Sequence, residues 1–176
     1  MRTLLTILLS TICFCISNAG VRLSSGDFSS LYGMRNIPVY LDWDKAKYSK
    51  AGTLDDFLIK ATRSEEWEKE SLDFFIKEVN NRIGEYGTNI TFGSADTHLP
   101  YIIIRVFSIS VDGDIKGEII LAHYNDVLAT ALFSSDTSDD DDEIAFKDQM
   151  ENIGENFGKL LNKVFEKHYK KINKIR

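Results

Sequence analysis

The sequence predicts an α+β fold, a two-layer sandwich in which helices pack on one face of a mixed or antiparallel sheet. Three observations predict it. The length of 176 residues fits one domain, and the composition, 43% hydrophobic and 27% charged, is that of a globular protein. Residues 101–133 contain three consecutive strand-like runs. Apolar stripes of helical period come before and after those runs, so the layers are expected to share one core.

The amino terminus has the pattern of a secretory signal peptide. Arg2 is its only charge, residues 4–16 are mainly apolar, and small residues at Ser17 and Ala19 occupy the positions that signal peptidase reads. The apolar run is shorter than the ~20 residues that span a bilayer. We therefore expect cleavage near Ala19 and an exported protein, periplasmic or secreted, without an integral membrane span. A buried first helix or a retained anchor is the alternative.

Both cysteines, Cys13 and Cys15, lie inside this segment. Neither has the leucine three residues before it and the small residue directly before it that mark a lipoprotein signal. We expect no lipid anchor and a mature chain without cysteine. Disulfides, thiolate zinc sites and cysteine nucleophiles are then excluded together.

The first part of the domain is predicted to be irregular. Residues 20–37 are rich in Ser and Gly without a clear period, so a flexible leader is expected there. Residues 38–43 alternate, which predicts a first strand that begins at a proline. Residues 44–52 are polar and predict a loop. The single α+β domain is expected to cover residues 38–172, with a basic tail at residues 173–176.

Two helices are predicted next. Residues 53–61 begin with an N-cap threonine and two acids, which favours a short helix. A longer helix is predicted to begin at Ser64 and to end at Gly84 and Gly87. Its apolar residues are spaced three and four apart and share one face: Leu72, Phe75, Ile76, Val79 and Ile83. A short strand is expected at residues 89–92.

An antiparallel three-strand meander follows. Residues 101–107 are apolar on both faces, which predicts a central strand. Residues 115–124 and 127–133 complete the meander, with turns at Asp112-Gly113 and Asn125-Asp126.

The last element is a long helix. Its apolar stripe consists of Phe146, Met150, Ile153, Phe157, Leu160, Leu161, Val164 and His168. Gly154 and Gly158 lie on the same side as part of this stripe, so they are expected to let the helix approach the sheet closely. Acids crowd the start of the helix and lysines its end, as the helix dipole favours.

Candidate chemical sites are sparse. The histidines are His98, His123 and His168, and no two of them have metal-ligand spacing. His123 and Asp126 flank one turn, so they could act as a general base and the acid that orients it. Asp136 and the acidic run ending at Glu143 offer clustered oxygens for calcium, but without EF-hand spacing, and a solvated loop is the favoured interpretation. We therefore expect no catalytic residue, no cofactor and no metal site.

Surface properties limit the partners. A net charge of −6 argues against a nucleic-acid module. The basic end from Lys159 to Arg176 fits either contact with anionic lipid or an acidic partner, or only a solvated tail that complements the helix dipole. The aromatics Trp43, Trp67, Tyr101 and Tyr124 are expected to cover the core rather than to form a binding patch. The oligomeric state stays open.

The layout resembles known envelope domains. The run at residues 101–110, the Asp112-Gly113-Asp114 turn, two further strands and a glycine-containing helix are similar to the TolB amino-terminal and curli-secretion-lipoprotein domains. The resemblance covers about residues 38–170 and carries over no functional residue, and the missing lipoprotein signal departs from the lipoprotein members. The export signal, the complete core pattern and the lack of catalytic clusters predict an exported, non-enzymatic binding or assembly module of the cell envelope or periplasm. It is expected to bind a protein partner through its sheet edge or loops. A small hydrolase using Asp and His, or an exported structural protein without a specific ligand, is the alternative.

Overall fold

The protein is described from a computed structural model. The structure describes residues 20–48, 52–53, 64–83, 89–93, 100–110, 114–135 and 142–174. The strands are β1 (Gly20–Gly26), β2 (Ile37–Asp42), β3 (Lys47–Tyr48), β4 (Gly52–Thr53), β5 (Phe92–Gly93), β6 (Tyr101–Ile109), β7 (Ile115–His123) and β8 (Asp126–Ser135). The helices are a 3-10 helix (Phe28–Leu31), α1 (Ser64–Arg82) and α2 (Asp142–Asn173). The predicted α+β class is confirmed.

The main sheet has six strands in the order β1-β8-β7-β6-β2-β5. Strands β6, β7 and β8 form the predicted antiparallel meander. Strand β2 joins it parallel to β6, so the sheet is mixed and β6 is central, as predicted from its apolar faces. Strand β3 continues along the same edge of β6, and β4 pairs with β3.

The prediction of a flexible leader is wrong for most of its length. Strand β1 pairs with β8 from Gly20 opposite Ser134 to Gly26 opposite Ala129. Asp27 then caps the 3-10 helix by accepting a 2.9 Å hydrogen bond from the Ser29 amide. Phe28 and Leu31 in that helix are fully buried. The leader is therefore part of the domain, because its partners are strands and helices that lie far away in the sequence.

Several predicted local features fall outside the described residues. They are the helix predicted at residues 53–61 apart from its first residue, the helix-ending Gly84 and Gly87, the Asp112-Gly113 turn and the acidic residues 136–141. Thr53, the predicted N-cap of that helix, belongs to β4. The predicted strand at residues 89–92 is reduced to the two-residue β5. The predicted loop at 44–52 contains the short β3.

The core lies between the sheet and α2. The predicted stripe residues Phe146, Met150, Ile153, Phe157 and Leu161 are at most 1% exposed. Phe165, which the predicted stripe omitted, is fully buried as well. Phe157 is the centre of this core, because its ring contacts Phe28, Phe75 and Phe92, with ring centroids 5.3, 6.1 and 6.4 Å away.

The two long helices run parallel and in close contact. Lys147 forms an ion pair with Glu70 near their starts, and Arg82 forms one with Glu155 farther along. The glycines of α2 face α1 and not the sheet, which corrects the sequence-based expectation. A Cβ atom at Gly154 would lie 2.5 Å from the Phe75 carbonyl oxygen, and one at Gly158 would lie 2.6 Å from the Arg82 Cβ.

One buried polar side chain on α2 has no hydrogen bond. Gln149 is fully buried, and both its Nε2 and its Oε1 lack a partner within the described part of the chain. An unsatisfied buried amide costs about 1–3 kcal/mol. We expect Gln149→Leu to raise the free energy of unfolding by about 1–2 kcal/mol, measured as a higher urea midpoint at unchanged slope.

The control for this variant is Asn152→Leu, which introduces the same side chain at an exposed position of the same helix. We expect a change below about 0.5 kcal/mol for it. A loss of stability in Gln149→Leu would mean that the Gln149 amide is satisfied in solution.

Candidate functional site on the open face of the sheet

The sheet has two different faces. Ile102, Ile104 and Val106 of β6 are buried in the core shared with α1 and α2. Because side chains alternate along a strand, Tyr101, Ile103 and Arg105 point to the opposite face. The candidate site lies on this opposite face, which we call the open face.

The site is organised around Arg105. The sheet register places Asp42 of β2 beside Arg105 on one side and Glu118 of β7 on the other. Arg105 donates from Nε to Asp42 Oδ2 at 2.9 Å and from Nη1 to Glu118 Oε1 at 3.0 Å. One guanidinium thus connects three neighbouring strands, as the fork of an arginine allows.

The neighbouring carboxylates favour the protonated form of Arg105. The hydrogen bond to Asp42 raises the pKa of Arg105 above its ordinary value, desolvation partly opposes this, and the charges of Asp42 and Glu118 add to it. The Arg105 side chain is 42% exposed, so the ion pairs contribute little net stability. Their main effect is to hold three charged side chains in one arrangement.

A β-bulge in β6 creates the apolar part of the site. Val106 pairs with Gly117 and Ser108 pairs with Lys116, so Phe107 is an extra residue in its strand. Phe107 is 44% exposed. Bulges redirect side chains in this way and are common next to functional sites. Gly117 permits the close strand approach here, because a Cβ at this position would collide with the Arg105 carbonyl oxygen and the Phe133 ring.

These residues line a cleft of about 660 Å³. Its lining comprises Asp42, Asp44, Lys45, Arg105, Val106 and Phe107. Asp44 and Lys45 belong to a turn between β2 and β3 that is closed by a 2.8 Å hydrogen bond from the Ala46 amide to the Trp43 carbonyl. Both side chains are exposed and have no ion-pair partner among the residues described. The cleft thus offers charges of both signs beside an aromatic ring.

The carboxylates at the cleft differ in their partners. Asp42 and Glu118 each form an ion pair with Arg105, whereas Asp44 has none among the described residues. Over the described ranges, no three His, Cys, Asp or Glu side chains are grouped closely enough to hold a metal ion. The described helices also include none long and apolar enough to cross a membrane.

A second exposed feature lies at the end of the open face. The Tyr101 hydroxyl donates a 2.9 Å hydrogen bond to the Tyr124 carbonyl, and the Tyr101 ring packs edge-on against Tyr40 at 5.8 Å. Tyr124 is 65% exposed and has a φ of 54°, which is unusual for a bulky residue. The expectation that the aromatics cover the core is therefore wrong for Tyr124, whereas Trp43 is buried.

The histidines predicted as candidates do not meet in the described structure. His123 pairs with Asp126 across the β7–β8 turn, and its ring lies 4.5 Å from that of Tyr124. His168 lies on α2 with its ring 5.0 Å from that of Tyr32. His98 is outside the described residues.

Sequence reasoning missed the residues of the cleft. The sequence contains one indication of the site: Arg105 is the only charged residue in the apolar run at residues 101–107. Its two carboxylate partners lie 63 and 13 residues away in the chain, and only the register of the sheet identifies them.

Comparisons with known proteins find partly similar solved structures but no similar sequence family. No protein-family model matches the chain, and no curated protein sequence does. A methionine-substituted PelC dodecamer from Paraburkholderia phytofirmans matches with a TM-score of 0.42 at 9% identity, covering 80% of this chain and 98% of that one. A second PelC dodecamer structure from that organism gives 0.40 at 11% identity, covering 77% and 96%. An uncharacterized protein gives 0.36 at 11% identity, covering 74% and 92%. These values describe a similar general arrangement and assign no role to any residue.

Proposed function

We propose that this chain is an exported, non-enzymatic binding module that takes a polypeptide segment of a cell-envelope partner into the cleft beside Phe107. The observation that carries the proposal is the β6 bulge, which exposes Phe107 next to Arg105 and its two carboxylates. Aromatic side chains and arginine are enriched in protein–protein interfaces.

The lining of the cleft favours a polypeptide over a small molecule. Small-molecule sites are predominantly apolar with few polar groups, whereas here four of the six lining residues are charged. Asp44 and Lys45 carry opposite charges at adjacent positions and are free to pair with a partner. A complementary segment would place one apolar side chain against Phe107 and charged side chains against Asp44 and Lys45.

The amino-terminal sequence supports an exported location for this activity. Residues 1–19 have the charge, length and small-residue pattern of a signal peptide. The resemblance of the strand and helix order to envelope domains such as the TolB amino-terminal domain points to the same compartment.

Site-specific crosslinking tests the proposal. A photoreactive phenylalanine at position 107 is expected to give a discrete adduct with one envelope protein in the host cell. Phe107→Ser is expected to lower capture of that protein by about 10–30-fold, because truncating a hot-spot aromatic costs about 2 kcal/mol. Capture is measured by affinity purification and quantitative mass spectrometry.

Tyr169→Ser serves as the control, because Tyr169 has similar exposure, 47%, but lies near the end of α2. We expect capture by this variant to match that of the unmodified chain. Equal loss in both variants, or no adduct at position 107, would contradict the proposal.

A further inference from the structure

The carboxy-terminal half of α2 presents a row of lysines. We use the name lysine row for Lys163, Lys167 and Lys171 of α2 together with Lys174, which directly follows the last residue of the helix; all four are exposed. At 3.6 residues per turn they fall within an arc of about 80° and extend over about 16 Å of the helix. Leu161 and Phe165, on another side of the helix, are buried in the core. The row therefore faces solvent along a rigid element.

The charges of the row are not neutralised locally. Two neighbouring lysines have partners: Lys159 lies 3.1 Å from Glu155, and Lys170 pairs with Glu166. The four lysines of the row have no carboxylate partner within the part of the chain that the structure describes. The helix dipole favours positive charge only within the last turn of a helix. It therefore does not account for all four uncompensated lysines.

The row contrasts with the rest of the protein. The whole chain carries a net charge of −6, whereas residues 159–176 contain seven Lys or Arg and one Glu. A charge distribution of this kind orients a molecule toward an anionic surface and keeps its acidic part away from it.

We propose that the lysine row docks on the surface of an anionic phospholipid bilayer. The use of lysine alone in this row favours lipid over a protein or a nucleic acid as the partner. Lysine is depleted from protein–protein interfaces, and arginine, which recognises nucleic-acid phosphates in bidentate fashion, is absent from the row. Attraction to anionic lipid needs only positive charge close to the surface. A straight row of exposed lysines satisfies this need without a pocket, and it does so independently of the Phe107 cleft.

The expected strength follows from the number of charges. Each lysine near an anionic surface raises partitioning by about fivefold, so four raise it by roughly 600-fold. This attraction is screened by salt over about 10 Å at 0.1 M ionic strength. Binding is therefore expected to be peripheral and reversible in high salt.

Vesicle co-sedimentation tests the proposal. The full chain is compared on neutral phosphatidylcholine vesicles and on vesicles containing about one third phosphatidylglycerol. We expect at least 100-fold stronger partitioning onto the anionic vesicles in low salt, lost in 0.5 M salt (about one tenth of the low-salt value or less). Because all variants share the same amino terminus, the ratio between the two vesicle types removes any contribution of the apolar residues 4–16.

Two fourfold variants with the same change in net charge locate the effect. In the first, Lys163, Lys167, Lys171 and Lys174 are all replaced by Gln, and the preference for anionic vesicles is expected to fall at least 50-fold. In the second, Lys47, Lys69, Lys77 and Lys116, which are exposed elsewhere, are replaced by Gln, and a change below about threefold is expected. Circular dichroism confirms that both variants fold.

Three results would overturn the inference. They are the absence of an anionic preference in the unmodified chain, an equal loss in the two fourfold variants, and tighter binding to soluble polyglutamate or to an oligonucleotide than to anionic vesicles. The last result would assign the row to an acidic protein or to a nucleic acid. None of these results depends on the cleft, so they can be distinguished from a failure of the proposed protein-binding function.

Discussion

Replacing Phe157 by alanine is expected to lower the free energy of unfolding by about 4 kcal/mol. Phe157 is fully buried and its ring meets Phe28, Phe75 and Phe92, which belong to three different elements. Truncation removes the transfer free energy of the ring and leaves a cavity that the surrounding elements fill only partly. Urea unfolding followed by circular dichroism measures the change.

The matched control is Tyr169→Ala, another aromatic truncation on α2. Its side chain is 47% exposed, so we expect a loss below about 1 kcal/mol. If both variants lost the same amount, Phe157 would not be the centre of the core that joins the 3-10 helix, α1 and β5.

Gly154→Ala is expected to destabilise the protein by about 1–2 kcal/mol, although alanine is the better helix former. The added Cβ would lie 2.5 Å from the Phe75 carbonyl oxygen and 3.0 Å from its Cα. Both atoms belong to the backbone of α1, so no side-chain rotation relieves the overlap and the helices must separate. Overpacking costs about 1–3 kcal/mol or more, which outweighs the gain of up to ~1 kcal/mol in helix propensity.

Gly93→Ala is the control for this steric effect, because a Cβ at Gly93 meets nothing within 4 Å. We expect its free energy of unfolding to change by less than about 0.5 kcal/mol. Thermal unfolding of both variants provides the measurement. A Gly154→Ala protein more stable than the unmodified chain would show that α1 and α2 lie farther apart than the structure places them.

The candidate site was only partly accessible from the sequence. Arg105 is visible as a charge within an apolar run, and Asp42 follows the alternation of the first strand. Neither pattern shows that they are neighbours, because a parallel strand pair leaves no signature of its register in either strand. The exposure of Phe107 depends on a one-residue bulge, which the apolar run conceals.

The sequence by itself determined the elements that a short-range repeat of apolar residues identifies. The meander of β6, β7 and β8 and the buried stripe of α2 were predicted, because alternation and the 3.6-residue repeat are set by which side of each element is buried. Only the tertiary structure decided the role of β1, the side of α2 on which Gly154 and Gly158 meet another helix, and the grouping of Asp42, Arg105 and Glu118. These features depend on contacts between segments distant in the chain. Whether such contacts form depends on the register of the strands and on the packing of distant segments. A local sequence pattern contains neither.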